Sequence, residues 1–105
     1  MDTNEVCKML EKLKIPFVYS HFKEGSNPKL PYLLYYYSGD NLFNADGLIY
    51  YKFKKLIVEL YTSKKDFELE NRLEKIFLNE GIIYQKEEIW ISSEQMYETI
   101  YKMEV

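Results

Sequence analysis

The chain has 105 residues, 47% of them apolar and 30% charged, with a net charge of −3 at pH 7. That is the size of one core with enough apolar material to fill it, so a single domain over residues 1–105 is expected and global disorder is argued against. The mildly acidic balance lacks the excess of Lys and Arg on which DNA-coating and membrane-surface proteins rely.

Asp2 or Thr3 can cap a first helix, and Asp2-x-x-Glu5 has the spacing of a capping box. Val6, Met9, Leu10 and Leu13 then recur at i, i+3, i+4 and i+7, which predicts one buried stripe, and Pro16 ends the helix. Phe17-Val-Tyr19 begins a short strand, and Glu24-Gly-Ser-Asn-Pro28 reads as a turn or exposed loop. Pro31 to Tyr37 reads as a second strand, apolar or aromatic on both faces, which places it centrally or under another subunit. Ser38 to Gly47, with two glycines and four Asx residues, reads as a long loop whose apolar tip is Leu42 and Phe43.

From Leu48 a long strand runs to Thr62. Ile49, Tyr51 and Phe53 share one parity while Leu56, Val58 and Leu60 share the other, so a bulge, bend or turn is expected near Lys54-Lys55. Asp66 caps a second helix whose stripe is Leu69, Leu73, Ile76 and Phe77, with Glu68 and Glu70 at its positive end and Gly81 as its stop. Ile82-Ile-Tyr84 and Ile89-Trp-Ile91 read as strand. Gln95 to Val105 fits either period, but Tyr97, Thr99, Tyr101, Met103 and Val105 alternate and favour strand. The fold class is therefore α+β, a mainly antiparallel sheet with two helices packed on one face. Leu10 to Tyr19 and Leu73 to Tyr84 echo each other as a helix end followed by a strand, which supports at most a pseudo-symmetric sheet.

Chemistry is sparse. Cys7 is the only cysteine, so one chain can form neither a disulfide nor a thiolate zinc cluster. His21, the only histidine, has no i, i+4 ligand partner and reads as a surface residue at a strand end. Glu68/Glu70 has a simple role at a helix start and Glu87/Glu88 in a solvated turn or strand face. No phosphate-binding, serine-hydrolase or EF-hand pattern is present, so neither catalysis nor a cofactor is expected. Lys52, Lys54 and Lys55 lie among Tyr50, Tyr51 and Phe53, a mix that can stack bases, but Arg72 is the single arginine and an amphipathic strand explains it as well. A secretory signal and a run of ~20 apolar residues are both missing, so synthesis in the cytosol is expected.

What stands out is eleven tyrosines beside six phenylalanines and one tryptophan. They suit a half-buried sheet surface, and they also suit interfaces. Tyr35, Tyr37, Leu42, Phe43, Tyr50 and Tyr51 are the candidate interface residues.

The order of elements resembles the tail-completion or tail-terminator family of long-tailed bacteriophages. So do Ile15-Pro-Phe-Val-Tyr19 after a short helix, Pro31-Tyr-Leu-Leu-Tyr35, Ala45-Asp-Gly47 before a long strand, and Ile57 to Asp66 leading into an acidic helix. The resemblance covers nearly the whole chain and contains no catalytic motif. It implies a virion structural protein at the head-proximal end of the tail, forming a ring, commonly of six copies. Its partners would be the tail tube protein and the head–tail connector protein, with DNA passing through unbound and no membrane involved. The rival reading is a cytosolic protein-binding adaptor or antitoxin-like regulator that dimerises through an aromatic sheet surface. A small enzyme using His21 with a carboxylate is a third.

Overall fold

In the computed structural model, the backbone is described for residues 1–45 and 48–105, and the side chains for residues outside 43–51. Helix α1 spans Thr3–Glu11 behind a complete capping box: the Asp2 carboxylate accepts from the Glu5 N–H at 2.8 Å, and the Glu5 carboxylate accepts from the Asp2 N–H at 3.0 Å. The chain reverses at Lys14, whose φ is 64°, and enters strand β1, Phe17–Tyr19. Strands β2, Tyr32–Ala45, and β3, Leu48–Thr62, form a long antiparallel pair. Helix α2, Phe67–Asn79, begins where the Asp66 carboxylate accepts from the Leu69 N–H at 3.0 Å. Gly81, at φ 72°, turns the chain towards strand β4, Tyr84–Ile91, and strand β5, Met96–Glu104, follows.

The sheet order is β1-β2-β3-β5-β4, with β1–β2 parallel and every other pairing antiparallel. The fold is thus the α+β class that the periodicity predicts, and the ambiguous last segment is strand. The internal echo has a structural counterpart: each helix is followed by one of the two edge strands.

One core holds the assembly together. Val6, Met9 and Leu10 of α1 and Leu69, Leu73 and Phe77 of α2 pack with Leu33, Leu56, Val58, Leu60, Tyr101 and Met103 from the sheet. Cross-strand register puts those sheet residues on one face, in the rows Leu33–Leu60–Thr99, Tyr35–Val58–Tyr101 and Tyr37–Leu56–Met103. Both helices cover that face. Phe77 and Tyr101 meet edge to face with centroids 5.3 Å apart, at the centre of the contact between α2 and β5.

Two expectations need correction. Residues 38–45 are not loop but the second half of β2, paired to β3 as far as Ala45 opposite Leu48. Asx and glycine residues are weak strand formers, yet the ladder to the β-prone partner Leu48–Phe53 overrides local preference. Residues 46 and 47 lie outside the described part of the chain. The bulge expected near Lys54-Lys55 sits instead on the partner strand. Tyr37 pairs with Leu56 and Gly39 with Lys55, so Ser38 is the extra residue, and Gly39 takes up the φ of 154° beside it. Strand β3 keeps its alternation through Lys54-Lys55, and its apolar positions pass from the helix-covered side at Leu56 to the other side at Phe53; a second register shift follows further out, where Phe43 pairs with Tyr51 and Asn44 with Ile49.

Candidate interaction surface

Two features are unusual for so small a domain. The first is an arm. Strand β5 stops at Glu104, and the backbone of Val105 exchanges hydrogen bonds with Lys54. Among the described residues, β2 from Asn41 to Ala45 and β3 from Leu48 to Phe53 then form a ladder only with each other. Six extended residues, as in this part of β3, reach about 20 Å. The molecule measures 51 × 29 × 24 Å with a radius of gyration of 15.0 Å, against about 13 Å for a compact domain of this length. A two-stranded ribbon is marginally stable by itself in water.

The second feature is the sheet face that carries no helix. Its rows are Tyr32–Tyr61–Glu98–Ile89, Leu34–Glu59–Ile100–Glu87 and Tyr36–Ile57–Lys102–Gln85, with Val18 beside Leu34. Phe22 shields one end by packing edge to face on Tyr32 at 5.1 Å, and Tyr32 packs on Tyr61 at 5.3 Å. Leu34, Tyr36, Tyr61 and Ile100 remain half-buried with no second layer above them.

In the middle of that face lies a cluster of two carboxylates and a phenol. The Tyr61 hydroxyl is 2.7 Å from Glu98 and 3.2 Å from Glu59. A phenol has one proton to donate, and the shorter contact marks Glu98 as its acceptor. Burial, then hydrogen bonding to Glu98 and the Glu98 charge, raise the Glu59 pKa from 4.5 to about 7. Burial and the two carboxylates likewise raise the Tyr61 pKa, and burial leads the rise at Tyr36. Among the described residues no Lys or Arg forms an ion pair with Glu59 or Glu98; Lys102, on this face, is 3.2 Å from Glu87 instead, and Lys55 lies beyond it at the base of the arm.

The covered side handles its carboxylates differently. Glu70, read from sequence as a helix-start charge, is only 2% exposed. It pairs with Lys65 at 2.5 Å and lies 2.8 Å from Lys86, the latter off the line of a hydrogen bond. Lys86 also meets Glu74 at 2.8 Å, Lys65 meets Glu88, and the Tyr101 hydroxyl donates to Glu74 at 2.7 Å. Despite burial, the bonds from Lys86 and Tyr101 hold the Glu74 pKa below its ordinary value.

Of the six residues singled out from sequence, Tyr35 is a core residue, 6% exposed, with its hydroxyl 3.2 Å from the Cys7 thiol. Its ring is enclosed by α1 and β1, so it offers nothing to a partner. Tyr37 is half-buried on the same side, under the Lys54 ammonium at 5.1 Å. Leu42 is 51% exposed on the arm. Phe43 and Tyr51 face each other in the arm's backbone register and Tyr50 adjoins them on β3, but their side chains lie outside the described residues. Glu59, Glu98 and Tyr61 were not singled out. Glu59 interrupts the apolar run Leu56 to Leu60, a visible signal, but only strand pairing brings Glu98 beside it.

His21 is exposed, with its Nδ1 3.3 Å from the Ser20 hydroxyl. A cleft of about 550 Å3 at the base of the arm is lined by Phe53, Lys55, Ile83, Tyr84, Lys102 and Met103 among others, with no Ser, His, Cys or Asp in its wall among the described residues. Among the described residues no group of three or more His, Cys, Asp or Glu is placed to hold a metal ion, and no helix is long and apolar enough to cross a membrane. No protein-family model matches the chain, and no curated protein matches it.

Proposed function

We propose that this is a structural protein of a phage tail, assembling as a ring at the head-proximal end of the tail tube and meeting the head connector there, without catalysis. The observation that carries the assembly role is the arm: a ribbon of about 20 Å whose two strands, among the described residues, ladder only with each other, tied to β5 by the Asn41 amide donating to Glu104 at 3.0 Å, on a domain whose own core is already complete. Such a ribbon gains stability when a neighbour covers it. The choice of the tail as the site of assembly rests on the sequence resemblance. The partners are other copies, the tail tube protein and the connector, with DNA passing through the ring unbound.

The open aromatic face favours a second reading, a cytosolic adaptor that dimerises through its sheet. Immunogold electron microscopy of phage particles from the source culture separates the two. Label at the head–tail junction supports the tail role. Label elsewhere on the tail keeps the structural class and removes the completion role. Accessible junctions without label, with the protein left in the soluble fraction, overturn the tail role and favour the adaptor.

A further inference from the structure

We propose that the open sheet face of one copy is covered by the arm of a second copy, with Lys52 of the arm set against the Glu59–Tyr61–Glu98 cluster. This deepens the ring reading and rests on it.

The argument begins with charge. A half-buried apolar face invites a cover, and the cover must tolerate what lies in its centre. Stacking two such faces cluster on cluster would bring four carboxylates together, with Lys102 already engaged by Glu87, so a two-fold dimer of that kind is disfavoured. The cover has to be basic, narrow enough to lie along a strand direction, and partly apolar. The side of the ribbon that carries Leu42 meets these needs, because Lys52 and Lys54 stand there against one carboxylate, Asp40. Lys52, Lys54 and Lys55 fall within four residues of β3. Lys54 is occupied over the Tyr37 ring and Lys55 sits at the arm's base opposite Gly39, which leaves Lys52 as the distal cation.

Lys52 has only a loose tie. Its ammonium is 3.5 Å from Asp40, and the two side chains are 57% and 48% exposed. A surface pair of that kind is worth about 0–1 kcal/mol and is readily exchanged. Leu42 stands opposite Lys52 in the register and is half-exposed, so the same stretch of ribbon brings an apolar contact for Leu34, Tyr36 or Ile100. An ammonium between Glu59 and Glu98 replaces the proton they otherwise retain. Because arm and face are different surfaces of one chain, the contact is head-to-tail, the type that closes into a ring when the rotation allows.

Charge reversal in the full-length chain tests this, read by sedimentation equilibrium with circular dichroism to verify folding. Lys52→Glu alone and Glu98→Lys alone are each expected to weaken self-association about tenfold or more, since each sets like charges together. The doubly reversed chain restores it to within about threefold of the natural one. A second readout is a Lys52→Cys, Ile100→Cys chain in a Cys7→Ser background, which should give a ladder of disulfide-linked multimers on oxidation. If the natural chain associates but the double reversal fails to rescue and no ladder forms, the arm-on-face contact is wrong while ring assembly through another surface stands. A natural chain that stays monomeric at millimolar concentration with no ladder overturns the contact, and labelling of particles then decides the tail role separately.

Discussion

The two faces of this sheet are built from the same strands and treat charge in opposite ways. Beneath α2, every buried carboxylate has a cation from the chain itself: Lys65 and Lys86 flank Glu70, and Lys86 reaches on to Glu74. On the other face Glu59 and Glu98 share one phenol and, among the described residues, pair with no cation. The consequence appears in their acidities, with Glu74 held below the ordinary carboxylate value and Glu59 lifted to about 7. One face is finished within the monomer. The other is left in a state that a neighbour's charge would improve, and this difference between faces is the ground for the contact proposed above.

The comparison is most sharply tested by truncating one large side chain on each face. Phe77→Ala, in the covered core, should lose about 3–5 kcal/mol in urea unfolding, because a fully buried ring leaves a cavity. Ile100→Ser, on the open face, should lose about 1 kcal/mol or less, since it is already partly wet. Equal losses would mean that the open face is packed as tightly as the core, and the case for a cover would fall.

Charge deletion ranks next. Glu70→Ala should cost about 2–3 kcal/mol, below the usual range for breaking a buried pair, because Lys65 and Lys86 keep Glu88 and Glu74 as partners. Glu98→Gln should leave monomer stability unchanged or slightly raised, as it relieves repulsion with Glu59. A large loss from Glu98→Gln, measured in dilute solution where the chain is monomeric, would show that the open-face cluster is a structural bond rather than an unfinished one.

The pH dependence of the two carboxylates has opposite sign. Glu59 binds its proton more tightly folded than unfolded, so its contribution is fully present below about pH 4.5 and disappears as pH rises through about 7. Glu74, with its pKa lowered, contributes above the ordinary carboxylate value and loses that contribution as pH falls through its depressed pKa. Between pH 5 and 7.5 the Glu59 contribution should therefore decline in the dilute monomer, and Glu59→Gln should flatten that part of the profile. An unchanged slope in Glu59→Gln would place the titrating group elsewhere. The smallest effect is expected at the arm: Leu42→Ser should change monomer stability by less than about 0.5 kcal/mol yet weaken self-association measurably.

The elements that were legible in the sequence are those decided by local chemistry. Asp2 with Glu5, and Asp66, announce helix starts because their carboxylates are in reach of N–H groups three residues on. The stripes Val6–Met9–Leu10 and Leu69–Leu73–Phe77 disclose which side of each helix is buried, and the alternation from Tyr97 to Val105 identifies the last strand. Tertiary pairing decided the rest. Ser38 to Ala45 is strand because β3 lies beside it, whatever its Asx and glycine content suggests. Tyr35 is core rather than interface because two helices settle on its side of the sheet, a choice that a segment apolar on both faces leaves open. Glu59 and Glu98, 39 positions apart by their numbering, become one cluster only through the pairing of β3 with β5. Caps and periodicity act over a few bonds and can be read along the chain, whereas the order of strands in a sheet depends on contacts between segments far apart, which a linear pattern does not specify.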